Sequence, residues 1–323
     1  MTGLPRLRWV PGAPVAQSGD EVVGLEGLLA RHLRRARWAG MPGAAVDGGR
    51  GIRWPRREQR DRSWWPQGID VRKTAEGLML AVSWHHPVEG VDTESRVTFV
   101  DLRGGRPRFA HVQLVQLVDG VSRPVAVHAG GLAWYGDLLH VADTFGGLRV
   151  FDVRDIVVRR APWWRSEYLL VQSGDYAAEN PHGQRRMRYS FISLEHDPAG
   201  PLLVAGEYRT ASEEDARLVR LPLGDHAPDR VDLHAPGIAR MQGVCVVDGT
   251  WYITTSNGQR RGGDLLVGHP DALVRHEGVL PPGPEDLAHE PGSSRLWSVT
   301  EHPGKRWIYV VDAAGISPAG SRA

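Results

Sequence analysis

Two observations predict an all-β fold. A phrase returns five times along the 323 residues, at intervals of roughly 45–65 residues. Each copy opens with a short polar, glycine-rich turn that enters an apolar strand, and a second apolar strand follows after a tight turn. The openings read PQGIDV from Pro66, HAGGLAW from His128, YSFISLEHD from Tyr189, MQGVCVV from Met241 and PEDLAHE from Pro284. The second strands read LMLAVSWHH, LLHVADT, LLVAGEY, WYITTSN and LWSVTEH. A strand–turn–strand unit at this period is most simply one four-stranded sheet per copy around a shared axis, a β-propeller.

The elements follow in order. Residues 1–62 do not fit the repeat and read as an extension. Within it Asp20–Ala39 has the spacing of one amphipathic helix, with Asp20 as N-cap, Leu25, Leu28, Leu29 and Leu33 on one face, and Gly40 as the stop. Arginines crowd from Arg31 to Arg62 among Trp38, Trp54, Trp64 and Trp65. That mixture is either a surface for single-stranded nucleic acid or an arginine-rich linker packed through its tryptophans; no recognised nucleic-acid motif accompanies it. The propeller spans residues 63–323, with blades at about 63–122, 123–185, 186–238, 239–281 and 282–323. Gly136-Asp137 and Gly146-Gly147 supply tight turns in the second blade. The last blade has three clear strands, and the apolar segment at residues 5–10 is the candidate to complete it. Five blades is the expected count, with six as the alternative if the extension hides another sheet.

Composition narrows the function classes. With 41% apolar and 24% charged residues the chain can bury a sizeable core. It has no run of 18 apolar residues, so no membrane helix is expected. Its N-terminus lacks the apolar stretch of a secretory signal, so a complete chain is expected in the cytoplasm. The single cysteine, Cys245, excludes an internal disulfide framework and an all-thiolate metal site, and its mid-strand position reads as a buried, inert thiol. A net charge of +1 argues against global attraction to nucleic acid or anionic lipid. Lys73 and Lys305 are the sole lysines, and this reliance on arginine suggests a GC-rich, actinobacterial-type genome.

Propeller geometry brings the start of each first strand and the end of each second strand to the same end of the axis. The inner ring is then Gln67, His128, Tyr189 or Ser190, Gln242 and Glu285. Outside it come Ser83, Trp84 and His85; Asp143 and Thr144; Glu207 and Tyr208; Ser256 and Asn257; Glu301 and His302. Buried ionisable groups are costly unless they are used or paired, so this convergence marks a candidate pocket. Glu285, Glu301 and Glu207, with Asp143 near, would raise one another's pKa and keep one protonated as a general acid. His128, with Gly130 and Gly131 leaving room beside it, is the candidate base. Trp84, Tyr189 and Tyr208 would form aromatic walls, and Gln67, His85, Asp143, Gln242, Asn257 and His302 would bind substrate. If a divalent cation such as calcium is held, Glu285, His128 and Asp143 are its candidate ligands, with side-chain carbonyls completing an oxygen shell. Each residue also has a structural reading: Gln67, Gln242 and Ser190 as strand-end caps, Asp143 as a turn cap, Glu207 as an inter-blade ion pair, and His85 and Glu301 with His302 as loop corners.

The order WPQGI, HAGGLAW…VADT…GLRVFDV, MQGV and GPEDL…LW…TEHPG resembles a group of actinobacterial propeller proteins of unassigned activity, usually secreted, over about residues 63–312. More distantly the chain looks like the gluconolactonase and strictosidine synthase propellers, which act on small molecules at the axial mouth, the first with a divalent metal. Their blade count differs, so that resemblance implies no residue assignment here. GxSxG, HExxH, GxGxxG and GxxxxGK[ST] are all absent. The expected function is a small-molecule enzyme of non-redox acid–base chemistry (cyclisation, elimination, isomerisation or hydrolysis) in a natural-product pathway. The alternative is a non-catalytic ligand-binding or protein-interaction propeller.

Overall fold

The computed structural model describes residues 4–12, 21–31, 33–41, 46–160, 166–180, 182–197, 200–213, 215–223 and 231–316. The N-terminal part contributes β1 (Arg6–Pro11), β2 (Glu21–Val22), helix α1 (Gly24–Leu29), β3 (Arg34–Arg35), β4 (Arg37–Gly40), β5 (Val46–Arg53) and helix α2 (Arg56–Arg60). The strands that follow fall into four-stranded antiparallel groups. The first group is β6 (Trp65–Thr74), β7 (Gly77–Val88), β8 (Val91–Asp101) and β9 (Arg108–Val118), with β10 (Val121–Pro124) folded back on β9. The second is β11 (Leu132–Tyr135), β12 (Leu138–Asp143), β13 (Gly147–Arg160) and β14 (Ser166–Glu179). A parallel pairing of β14 with β9 joins these two groups into one larger sheet. The third is β15 (Phe191–Asp197), β16 (Gly200–Gly206), β17 (Leu218–Pro222) and β18 (Asp232–His234). The fourth is β19 (Met241–Val247), β20 (Thr250–Thr255), β21 (Gly263–His269) and β22 (Ala272–Leu280). The last begins with β23 (Pro284–His289), β24 (Arg295–Thr300) and β25 (Trp307–Asp312). Their first strands touch in ring order, β6 on β11, β11 on β15, β15 on β19, β19 on β23 and β23 back on β6. The fold is a β-propeller.

The ring closes through a different segment from the one expected. The fourth strand of the last sheet is β5, which sets Ile52 opposite Ile308 and Arg53 opposite Trp307. Beyond it Trp54 inserts between the first and last sheets, edge-on to Trp84 at 5.3 Å and to Phe109 at 5.2 Å. Residues 5–10 instead lie along the outer edge of the second sheet, with Trp9 opposite Tyr176. The cause is apolar content: Ile52 and Trp54 are buried, whereas Arg6, Arg8 and Trp9 are exposed. The helix is also shorter than its periodicity suggests. Leu25, Leu28 and Leu29 are buried as expected, but the chain turns at Ala30, and Arg34–Arg35 and Arg37–Gly40 pair as strands with β9 and β5. Asp20, the expected cap, lies outside the described residues. Tyr135 pairs with Leu138 across Gly136-Asp137, while the next turn runs over Thr144–Gly146 because Gly147 already pairs with Asp143.

An innermost strand pairs along one edge only, so the other edge turns its amides toward the axis, where they need partners. Carboxylates supply them. Asp286 Oδ2 accepts from Ile69 N at 3.2 Å and from Leu132 N at 3.1 Å, tying β23 to β6 and β11. Asp70 accepts from Val71 N at 2.7 Å and from Trp134 N at 2.5 Å, one amide on each oxygen. Small residues let the strands come this close. A Cβ at Gly131 would stand 2.2 Å from Ile192 N, and one at Gly130 would stand 1.9 Å from Ser190 O. These two glycines therefore give room to the backbone of β15, not to a ligand beside His128.

Burial pushes the Asp70 carboxyl up to about 7 and the Asp286 carboxyl well above the usual range, against the pull of the amides that bond to each. The folded protein then holds protons that the unfolded chain has already released. That stability is fully present below about pH 4, the range of unfolded carboxyls, and is lost as pH rises through the folded values. Asp286→Asn keeps an oxygen for both amides and removes the charge. Its melting temperature should fall less than that of the wild type between pH 5 and pH 8. Asp286→Ala orphans two buried amides and should cost about 1–3 kcal/mol for each. Equal pH slopes in wild type and Asp286→Asn would show that Asp286 is already ionised in the folded protein over this range.

Candidate functional site

One mouth of the axis opens into a cavity of about 280 Å³. Each innermost strand delivers one residue to it at or just before its start: Gln67, Gly130, Ser190, Gln242 and Glu285. The ends of second strands add Thr144, Tyr208 and Glu301, and His128 stands at the entry to β11. The antiparallel rule thus brings together Gln67, His128, Ser190, Tyr208, Gln242, Glu285 and Glu301 from all around the ring.

Glu285 sits in the wall at 2% exposure, and its Oε1 accepts from Gln242 Nε2 at 3.4 Å. Burial drives its carboxyl well above the ordinary range, and the nearby Glu301 and Asp286 push in the same direction. Glu301 Oε2 accepts from Gln67 Nε2 at 3.4 Å. Burial raises Glu301 too, opposed by Gln67, His128 and Arg306. Glu301 is half-buried, and its charge makes ionisation of the buried Glu285 costlier still.

His128 is braced from behind. The β7–β8 hairpin sets Asp92 opposite Pro87 and within side-chain reach of His85, and its carboxylate serves two imidazoles. His85 Nδ1 lies 2.5 Å from Oδ1, and His128 Nδ1 lies 3.4 Å from Oδ2. The rings stack at 4.1 Å with a 55° tilt. Burial works to raise the Asp92 carboxyl, but the two histidine contacts outweigh it and hold the group well below the carboxylate range. Burial lowers His85, with Asp92 opposing. With Nδ1 of His128 turned to Asp92, Nε2 is the ring nitrogen left for proton transfer.

Among the described residues, His85, Asp92 and His128 form a group whose ligand atoms fall within 4.8 Å of one another. Two imidazoles and one carboxylate suit a transition metal better than calcium, which takes oxygen donors. The calcium set expected from Glu285, His128 and Asp143 is not assembled. The Asp143 carboxylate bonds Arg149 Nε at 2.9 Å and Gly146 N at 3.1 Å, as a turn cap, and lies outside the cavity lining.

Other expected site residues also lie elsewhere. Glu207 is fully buried in a cage of guanidiniums, 2.8 Å from Arg217, 3.1 Å from Arg185 and 3.3 Å from Arg209. Burial would raise it, but Arg217 and Arg209 bring it down to about 2, so it is a permanent carboxylate and not an acid. Its Oε1 also accepts from Arg188 N at 3.1 Å, which positions the segment that carries Arg188 to the cavity. Trp84 points away from the axis because alternation along β7 sends Ser83 and His85 one way and Trp84 the other. Ser83 Oγ faces inward, accepting from Gly68 N and donating to Ala129 O, whereas Trp84 is buried in the core against Trp54. Tyr189 is fully buried and packs under the third sheet, so Tyr208 alone of the three expected walls lines the cavity. Asn257 Nδ2 donates to Gly262 O and Asp264 Oδ1, both at 2.9 Å, and braces its own loop. His302 is buried behind Glu301, with Nδ1 at 3.3 Å from Oε1.

Arg188, Phe145 and Asp92 are the contributors that repeat logic missed. Arg188 lies in the connection between the second and third sheets and Phe145 in the β12–β13 turn, and the two come together at the rim, the guanidinium 5.9 Å from the ring centroid. Glu89 and Gly90, with positive φ of 52° and 81°, form the two-residue turn that folds Asp92 back toward His85.

The sequence matches no protein-family model and no curated protein. The fold is similar to solved structures at low identity. A gluconolactonase from Xanthomonas campestris is 15% identical over 87% of this chain and 89% of that chain, with a TM-score of 0.45. A GH43 enzyme from Xanthomonas citri complexed with xylotriose is 12% identical over 81% and 94%, with a TM-score of 0.42. The glutaminyl cyclase of Myxococcus xanthus is 13% identical over 86% and 94%, with a TM-score of 0.39. Similarity at this level assigns no residue of this chain a role.

Proposed function

We propose that the protein is a small-molecule enzyme that performs non-redox acid–base chemistry at the mouth of the propeller axis. The observation that carries this reading is Glu285, a buried carboxyl whose ionisation burial and the neighbouring Glu301 disfavour, in the same small cavity as an imidazole braced by a carboxylate. Glu285 is the general acid. Its proton stays on the carboxyl at neutral pH, and Gln242 fixes one of its oxygens. His128 is the general base, accepting at Nε2 while Asp92 stabilises the imidazolium that results. Glu301, held by Gln67, takes the developing positive charge or shares the proton with Glu285. Arg188 gives the rim a positive charge, and Tyr208 and Phe145 supply apolar faces, which together favour a small substrate carrying an anionic group. Removing a proton at one substrate atom and delivering one at another serves elimination, isomerisation or cyclisation. With water as the group deprotonated, it serves hydrolysis.

A panel of lactones, aryl glycosides and N-terminal glutaminyl peptides covers the hydrolytic and cyclising branches. Glu285→Gln preserves shape and should lower kcat by about 10²-fold or more on any substrate turned over, with the circular dichroism spectrum unchanged. Activity should decline at high pH as Glu285 deprotonates. Full activity in both Glu285→Gln and His128→Ala would overturn the proposal.

Asp92→Asn separates orientation from binding. It should lower kcat about tenfold or more with KM little changed, because the imidazole loses its charged partner but stays in place. An effect on KM alone would instead make Asp92 a structural brace.

A further inference from the structure

On the flank where the N-terminal part closes the ring, a second cavity of about 850 Å³ is lined by Arg35, Arg37, Arg53, Arg56 and Arg60. It contains no carboxylate in its lining, which is completed by residues such as Trp54 and Gln59. Residues 31–62 hold ten arginines against Asp47, Glu58 and Asp61, an excess of seven positive charges in a chain whose net charge is +1. All three carboxylates are engaged elsewhere. Glu58 is buried against Arg34, Asp61 Oδ1 accepts from Ser63 N and Trp64 N, and Asp47 lies 3.4 Å from Arg295.

The backbone pairing makes the clustering costly. Arg37 is directly opposite Arg53 in the β4–β5 ladder, and Arg35 is directly opposite Arg108 in the β3–β9 ladder. Like charges facing each other across strands destabilise a sheet, by an amount comparable to the few tenths of a kcal/mol to about 1 kcal/mol that opposite charges contribute. Arg108 is answered by Asp101 at 2.8 Å, but Arg35, Arg37, Arg56 and Arg60 have no ion-pair partner among the described residues. Guanidinium forks grip phosphate oxygens in pairs, and several around one concavity match a ligand with several phosphates. The neighbouring tryptophans do not form base-stacking platforms. Trp54 is buried, Trp64 lies beneath the Arg96 guanidinium at 4.2 Å, and Trp38 donates to Gly105 O at 3.3 Å.

The structure assigns this groove to a small molecule carrying two or more linked phosphates. The test is calorimetric titration of the full chain with inorganic tripolyphosphate, beside Arg56→Gln/Arg60→Gln, Arg37→Gln and the remote control Arg123→Gln. One tripolyphosphate per chain should bind and raise the melting temperature. Affinity should fall at least tenfold in the double variant, drop steeply with added salt, and stay unchanged in Arg123→Gln. Arg37→Gln should weaken binding while raising the melting temperature of the ligand-free protein, a combination that misfolding does not produce. No saturable binding, or equal weakening in Arg123→Gln, would overturn the proposal. So would tighter binding of a short single-stranded oligonucleotide through the same arginines, which would make the groove a nucleic-acid surface.

Discussion

The inner edges of the first strands set the terms for the whole molecule. Each carries backbone amides that face the axis with no strand to receive them. Asp286 and Asp70 answer four of these amides, and they tie together strands far apart in sequence. The cost is that carboxyls are carried into the centre of the protein, where burial disfavours their ionisation. Glu285 precedes Asp286 in the chain and alternation turns it toward the mouth, so the same strand that seals the axis delivers the acid to the pocket. Cys245 lies in this environment too, fully buried, its thiol pushed up by burial and by Asp286 and Asp70, and it is chemically inert.

The pocket is built in two layers of stringency. Residues at the starts of first strands are fixed by the ring itself, which is why Gln67, Ser190, Gln242 and Glu285 were legible from the repeat alone. Second-strand ends were legible by position but not by direction. The repeat locates Trp84 and Tyr208 at equivalent exits, yet pleat alternation and local packing bury one and leave the other at the mouth. Of the two readings of Glu207, acid and ion pair, the structure bears out the second: Arg209 is close by in the chain, whereas Arg185 and Arg217 lie on either side of it and only the fold gathers them. Asp92 and Arg188 sit outside the repeated phrase, Asp92 at the start of the first sheet's third strand and Arg188 in the connection between the second and third sheets. The closing strand was hidden for another reason. Val46–Arg53 reads VDGGRGIR, a glycine-rich loop by composition, and becomes a strand because β25 offers an unpaired edge and the core a slot for Ile52 and Trp54.

A net charge near zero conceals a strong internal division. Carboxyls crowd the axis and the mouth, while arginines crowd the flank formed by residues 31–62. Arg34 of this flank serves Glu58, and Arg306 beside it is fully buried and donates to Glu301 O at 2.8 Å and Trp64 O at 2.7 Å. The five around the second groove serve no carboxylate in its lining. Two charged concavities of opposite chemistry therefore share one scaffold, one organised around held protons and the other around unanswered guanidiniums.

Carbon-13 NMR of the side-chain carboxyls across pH 2–9 reads directly where the protons reside. Glu285 and Asp286 should remain protonated well past the ordinary carboxyl range, Asp70 should titrate at about 7, and Glu207 should stay ionised down to about pH 2. If Glu285, Asp286 and Asp70 all titrated between about pH 3 and 5 like exposed carboxyls, the axis would be wet, its carboxylates would be ordinary charges, and the acid role of Glu285 would fall with them.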